Sequence, residues 1–235
     1  MSRSIASIPI SEPPVPAGEP SLSERYAARA TERLVAGHHD ARLRALDLAI
    51  SALAAIVLAP LVALIAVVLF VAEGRPLLYR GPRVGRGGSI FTMYKFRTLR
   101  PDAELRLGPY MGAELDALTP TEQTRVGAAL RRLQLDEIPQ LYNVLRGDMS
   151  IVGPRPIRPV FFEQLCEQIP QYWQRLVVRP GMTGFAQLRI TRDMTWAEKL
   201  SHDLEFIADR SASLYLRIVA ATIGRFAARA VGRRD

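Results

Sequence analysis

Between Leu48 and Ala72 the chain runs for 25 residues without a charge, LAISALAAIVLAPLVALIAVVLFVA. At about 1.5 Å per residue a helix of that length outreaches the ~30 Å hydrocarbon core of a bilayer. It is too long, and starts too late in the chain, for a cleavable signal peptide. Uncharged runs this long mean membrane far more often than a helix buried in a soluble core. Two details oppose a plain span. Pro60 lies near the middle, where it removes one backbone hydrogen bond and crowds the carbonyl four residues back, which predicts a kink. Both flanks are also basic: Arg33, Arg42 and Arg44 precede the run, and Arg75, Arg80, Arg83 and Arg86 follow it. The positive-inside rule draws both ends to the cytoplasm. A helix that enters one leaflet and returns satisfies both flanks, whereas a straight span satisfies one. Proline is tolerated in ordinary transmembrane helices, so the straight span stays open.

The chain divides accordingly into an N-terminal extension (1–40), a membrane helix (41–74) and a domain with further helices (75–235). In the extension, Pro13, Pro14, Pro16, Gly18 and Pro20 predict disorder, and Ser21-Leu22-Ser23-Glu24 fits a capping box opening a helix to about Val35. His38-His39-Asp40 reads as a solvated linker, because no further ligand spacing supports a metal site. The formal charge is +8, and with Lys95 and Lys199 the only lysines, 29 of the 31 basic residues are arginine. Arginine suits bidentate phosphate recognition, although GC-rich codon usage produces the same bias. The charge implies anionic partners, with nucleotide, lipid headgroup and nucleic acid all open. The cations are spread along the chain without the aromatic interleaving that stacks bases, which weighs against nucleic acid. The single Cys166 excludes an internal disulfide and sits in an apolar stretch, as a packed side chain would.

Leu77–Arg80 and Ile90–Leu99 read as strands around the turn Gly85-Arg86-Gly87-Gly88. Alternation puts Phe91, Met93, Lys95 and Arg97 on one face, where two cations suit a diphosphate or form a solvated edge. Thr121–Leu133 reads as one helix and a second begins near Asp136, ending at Gly147. Prolines on both sides of Arg155 present that arginine rigidly, and Arg179-Pro180-Gly181 reads as a turn with an arginine at its shoulder. At the C-terminus Arg225, Arg229 and Arg233 form a stripe beside Ile218, Val219, Ile223 and Phe226, the pattern of an interfacial helix or of an ordinary amphipathic one. Asp136-Glu137 opens its helix with Pro139 in the first turn, so Asp136 fits an N-cap. A carboxylate there, near rigid arginines and a membrane segment, also suits phosphate with a divalent cation, or attack on phosphorus.

Four blocks in order resemble the monotopic phosphoglycosyl transferases, or bacterial sugar transferases. They are Arg44–Leu64, Gly81–Glu104, Thr124–Pro159 (TRVGAALRRLQLDEIPQLYNVLRGDMSIVGPRPIRP) and Val178–Arg189 (VRPGMTGFAQLR), within a span from about Arg42 to Val219. The resemblance implies an α+β, mostly helical, membrane-associated (monotopic) domain, with a Pro60-kinked re-entrant helix, a small β-hairpin and interfacial amphipathic helices. It implies that Asp136 attacks the sugar-linked phosphate of a UDP-sugar, releasing UMP, and that a polyprenyl phosphate, undecaprenyl phosphate by default, then takes the phosphosugar. Glu137 would be the general base or an orienting group, Asp136 would bind Mg2+, and Lys95, Arg131, Arg155 and Arg179 would hold phosphates. The setting implied is the cytoplasmic face of a bacterial inner membrane, at the first membrane step of a surface glycan such as an exopolysaccharide or lipopolysaccharide, beside downstream glycosyltransferases. Departures from the family pattern are Ala59 before Pro60, Gln134 two residues before Asp136, and Tyr215 where an aspartate is usual; neither Tyr215 nor Asp203 is assigned a role. The competing reading is a non-enzymatic, arginine-rich membrane-anchored scaffold or anion-binding protein.

Overall fold

A computed structural model describes residues 38–107, 113–189 and 194–230. The expected disorder over 1–20, the helix over 21–35 and Arg233 lie outside them. The fold is mostly helical with two small sheets and one long apolar helix, compatible with membrane association. That helix, α1, runs His38–Glu73 with Pro60 inside it. It begins at the three residues expected to form a linker, because they lead directly into the helix-favouring run Ala41–Leu46. No group of three metal-ligating side chains occurs among the described residues.

Both ends of α1 are fastened to the rest of the chain. Near its start, the buried Asp47 carboxylate accepts hydrogen bonds from the Ser150 hydroxyl (2.8 Å), the Ile151 N–H (2.9 Å) and the Tyr215 hydroxyl (2.8 Å). Arg44 donates to the carbonyls of Val144 (2.6 Å) and Leu145 (2.9 Å). Leu43, Leu46 and Ile50 add apolar packing on a core of Phe91, Met93, Val144, Ile151, Tyr215 and Ile218. Near its end, Ile65 and Leu69 bury against Phe96 and Leu130, each side chain contributing ~1.5–3 kcal/mol. Arg97 donates to the carbonyl of Glu73 (2.7 Å), one of those a helix C-terminus leaves unpaired, and to those of Gly74 (3.2 Å) and Arg75 (3.2 Å) just beyond it. Between these attachments the helix is bare, with Ile56 75% exposed.

After α1 the hairpin β1 (Leu78–Val84) and β2 (Ile90–Phe96) pairs antiparallel, with Tyr79 opposite Lys95 and Val84 opposite Ile90. β1 is longer than expected because Pro82, which has no N–H to give a second neighbour, is tolerated in a two-stranded sheet. β2 stops short of Leu99, where the chain turns away so that Arg97 caps α1 and Leu99 bridges Gln123. Next come α2 (Ala103–Leu107), α3 (Ala113–Glu122) and α4 (Arg125–Arg132). The single helix expected over 121–133 is thus broken at Thr124, whose hydroxyl accepts from Gly127 N–H (2.9 Å) as an N-cap. A 3-10 turn (Leu135–Glu137) precedes α5 (Gln140–Arg146), which ends at Gly147 in the left-handed region (φ 100°) as expected.

β3 (Ser150–Val152) and β4 (Gly181–Thr183) form a parallel pair that the sequence did not reveal. The turn expected at Arg179-Pro180-Gly181 is instead the entry to β4: Pro180 O accepts from Ser150 N–H (2.8 Å) and Gly181 N–H donates to Pro154 O (2.8 Å). α6 (Pro159–Gln168), a 3-10 segment (Tyr172–Val177), α7 (Phe185–Arg189), α8 (Trp196–Ala208) and α9 (Ala212–Ala230) complete the chain. Cys166 is packed among Phe162, Leu165 and Tyr172, and burial pushes its thiol up to about 12. On α9, Ile218 is buried, Ile223 and Phe226 are exposed, and Arg225 donates to the carbonyls of Gln187 and Leu188 at the end of α7.

Gly153 and Gly181 let the two proline-bearing loops touch. A Cβ on Gly181 would come within 2.0 Å of the Gly153 nitrogen, a backbone atom that cannot step aside. Gly181→Ala is therefore expected to lower stability by at least ~2 kcal/mol, the scale of a forced backbone shift. Thermal unfolding in nanodiscs measures it, and a melting temperature equal to the parent's would refute this packing.

Candidate active site

The Asp136-Glu137 turn is reached from α4 through Gln134, which adopts a left-handed conformation (φ 56°) that costs a non-glycine residue ~1 kcal/mol. This reversal carries Asp136 inward, so it is not an N-cap. Gln134 occupies that position without a side-chain capping bond, and Asp136 is itself buried.

β2 brings Lys95 to this turn, and the fully buried Asn143 on α5 sets the distance. The Asn143 amide donates to Thr92 O (2.7 Å) and accepts from Tyr94 N–H (3.0 Å), replacing the missing strand on that edge of β2. With α5 so clamped, Lys95 Nζ donates to Glu137 Oε1 at 2.6 Å, and Arg155 Nη2 reaches the same oxygen at 3.2 Å. Arg131, in the last turn of α4, is steadied by Nε donating to Thr98 Oγ1 (2.9 Å) and acts electrostatically on both carboxylates.

Arg155 has support from behind. Its carbonyl accepts from Arg175 Nη2 (2.9 Å), and Arg175 forms a buried ion pair with Asp203 (2.8 Å) and donates to the Tyr172 hydroxyl (2.6 Å). The fixed element is the Arg155 backbone; its guanidinium, 52% exposed, can still swing toward a ligand.

The two carboxylates are pushed apart. Burial raises the Asp136 carboxyl above the ordinary aspartate value of 3.8, helped by the charge of Glu137 and opposed by Lys95, Arg131 and Arg155. Burial also acts to raise Glu137, but the charges of Arg155 and Lys95 outweigh it and hold this carboxyl down at about 2. Lys95 is lowered by its burial, with Glu137 offsetting part of the effect. Glu137 is thus an anion tied to two cations. Asp136 accepts no hydrogen bond from any described residue, although it is only 6% exposed. A carboxylate so largely withdrawn from water without a hydrogen bond is costly and calls for an explanation, a catalytic role among them.

Of the expected site residues, Asp136, Glu137, Lys95, Arg131 and Arg155 converge here. Arg179 is placed elsewhere: its Nε donates to Gly147 O (2.9 Å), at the far end of α5 from the carboxylates. Arg97, expected beside Lys95, caps α1. Asn143, Thr98, Arg175 and Asp203 were not read from the sequence as parts of this site. Asn143 offers the one faint signal, an amide between the apolar Leu141 and Val144.

A profile of the family described as bacterial sugar transferase matches residues 39–229. Among similar proteins, the UDP-N-acetylgalactosamine-undecaprenyl-phosphate N-acetylgalactosaminephosphotransferase of Aeromonas hydrophila is 36% identical over 77% of this chain, which spans 42% of that protein. The UDP-glucose:undecaprenyl-phosphate glucose-1-phosphate transferase of Caulobacter vibrioides is 37% identical over 78% of this chain and 69% of its own length. The exopolysaccharide production protein PSS of Rhizobium leguminosarum is 35% identical over 77% of this chain and 92% of its own length. With the profile covering nearly all described residues, the chain belongs to the bacterial sugar transferase family.

Proposed function

We propose that this protein transfers a sugar-1-phosphate from a UDP-sugar to a polyprenyl phosphate, in two steps through Asp136. The observation that carries the reading is the bare, buried Asp136 carboxylate, ringed by Lys95, Arg131 and Arg155. A scaffold or passive anion-binding protein has no use for a desolvated carboxylate among its cations. In the first step an Asp136 oxygen bonds to the sugar-linked phosphorus, the bridge to the second phosphorus breaks, and UMP leaves with that electron pair. In the second, an oxygen of the lipid phosphate bonds to the same phosphorus and the aspartyl–phosphorus bond breaks, restoring the carboxylate and yielding a diphosphate-linked lipid. Splitting the transfer lets one anion depart before the next arrives. Arg131 and Lys95 balance charge at the reacting phosphorus, and Arg155 is able to follow it. A carboxyl held near 2 is a weak proton acceptor, which supports Glu137 as the group that orients Lys95 and Arg155 over the general-base alternative. Arg179 would reach phosphate only from the opposite end of α5.

The undecaprenyl acceptor rests on the names of the relatives, whose sugars differ, N-acetylgalactosamine in one and glucose in another. Mg2+ suits the donor set: it binds through one or two carboxylates plus substrate phosphates, and Asp136 offers a carboxylate without a partner. When bound it would supply neutralisation of the nucleotide diphosphate.

The attachments of α1 support a re-entrant course, with the domain on the cytoplasmic side of a bacterial inner membrane. Asp47 and Leu69 both grip the domain, yet a straight helix would part them by roughly 33 Å along its axis, about the thickness of the hydrocarbon core. A bilayer-spanning α1 would leave one of these attachments on the wrong side. The exposed Ile223 and Phe226 on α9 offer a second apolar contact with the membrane.

Asp136→Asn is expected to abolish the UMP burst on mixing with UDP-sugar, together with the covalent phosphosugar seen by intact mass; normal turnover would remove Asp136 from the scheme. Because Asp136 attacks only when ionised and its carboxyl is raised, the burst rate should fall on the acid side at a pH above the ordinary aspartate value. Lys95→Met removes a cation that favours the carboxylate, so this limb should move to higher pH; an unmoved limb would mean another group titrates. For the topology, a reporter on the N-terminus should remain cytoplasmic, and Pro60→Leu should move it to the opposite face. An N-terminus on the far side in the parent protein would end the re-entrant reading.

A further inference from the structure

A cavity of about 1250 Å3 lies under the C-terminal end of α1 and against the β-hairpin. It exceeds the ~300–1,000 Å3 usual for a small-ligand site. Its walls are of two kinds. One is apolar and comes from the last turns of the membrane helix: Ala66, Val67 and Phe70. Val67 and Phe70 are 60% and 53% exposed, so this wall continues outward as the bare surface of α1. The lining also carries a basic group: Arg80 and Arg83 from β1, Lys95 from β2, Arg131 from α4, and Arg158. Among the described residues, Asp102 is the only carboxylate lining it.

We propose that this cavity seats the acceptor lipid, an isoprenoid monophosphate, with its phosphate against the arginines and its first isoprene units along Ala66, Val67 and Phe70. The proposal rests on the two-step reading above and assigns its second substrate a place. Three observations favour a lipid over the nucleotide. The apolar wall belongs to the helix that meets the bilayer, and a water-soluble nucleotide gains nothing from a wall continuous with membrane surface. The wall lies just before α1 gives way to Glu73 and Arg75, the change from apolar to charged that marks headgroup depth. The basic group includes Lys95 and Arg131, which also act on Asp136, so a phosphate held there lies next to the nucleophile while its tail stays in hydrocarbon. Phosphate on arginine is a charge-assisted contact, strengthened where the apolar wall excludes water.

The test uses the full chain in nanodiscs and undecaprenyl phosphate carrying a diazirine on an isoprene unit near the phosphate. Photolabelling, mapped by mass spectrometry, should fall on the end of α1 and on β1, and the corresponding alcohol, undecaprenol, should not reproduce it. Phe70→Asn and Arg80→Gln should each cut labelling roughly tenfold, the loss of about one good contact, and Phe70→Leu should restore it. In steady state, the same two variants should raise KM for the lipid roughly tenfold relative to KM for the UDP-sugar. Equal labelling by undecaprenol, label confined to other helices, or a rise in KM for the UDP-sugar instead would overturn the assignment, the last by making the cavity the nucleotide's seat. Failure of the parent protein to release UMP from any donor would sink the two-step reading alone, because photolabelling reads the lipid site without catalysis.

Discussion

Everything in this molecule hangs on the carboxylate of Asp47. It lies in the first turns of a helix that runs without a charge from Leu48 to Ala72, and it gathers a hydroxyl and an N–H from the β3 strand and a hydroxyl from α9. A charge withdrawn from water is tolerable only when hydrogen bonds replace its hydration, and here three do. The result is a polar rivet joining elements more than a hundred residues apart in sequence. At the other end of α1 the guanidinium of Arg97 takes the carbonyl of the last helical residue, Glu73, and the two that follow it in the same way. The stretch between the two rivets carries no polar anchor to the domain and is free to meet hydrocarbon.

The site follows from that arrangement. With α1 pinned against α5, the buried Asn143 can complete the edge of β2, and the hairpin then delivers Lys95 to Glu137 at 2.6 Å. From the opposite direction the Arg175–Asp203 pair holds the backbone of Arg155. Neither support contacts the bare carboxylate of Asp136. Rigid backbone beneath a mobile guanidinium suits phosphoryl chemistry, in which the phosphorus moves between an incoming and an outgoing oxygen.

What could be read from the sequence was whatever is local or signalled by composition. The uncharged run announced α1, the glycine at 147 announced the end of α5, and prolines announced the stiffness around Arg155. The convergence of Asp136, Glu137, Lys95, Arg131 and Arg155 came from the resemblance of ordered blocks, because no periodicity places Lys95 against a turn 40 residues later. What could not be read depends on partners distant in the chain. Arg97 alternates correctly with Lys95, yet the bare carbonyls of α1 claim it. Arg179-Pro180-Gly181 has the composition of a turn, but pairing with β3 makes its glycine the first residue of a strand. Tyr215, which departs from the family pattern, acquires meaning only once Asp47 is found beside it.

Glu137 gives the site a resident anion. One of its oxygens, shared between Lys95 and Arg155, occupies these cations as a phosphate oxygen would. A ligand entering therefore trades places with a carboxylate instead of meeting naked charge, and its net gain is the difference between two similar bonds. A small monoanion gains almost nothing by that exchange. A ligand that presents several phosphate oxygens at once, and reaches Arg131 as well, gains on each. Discrimination against stray small anions is thus written into the counter-ion that the pocket carries with it.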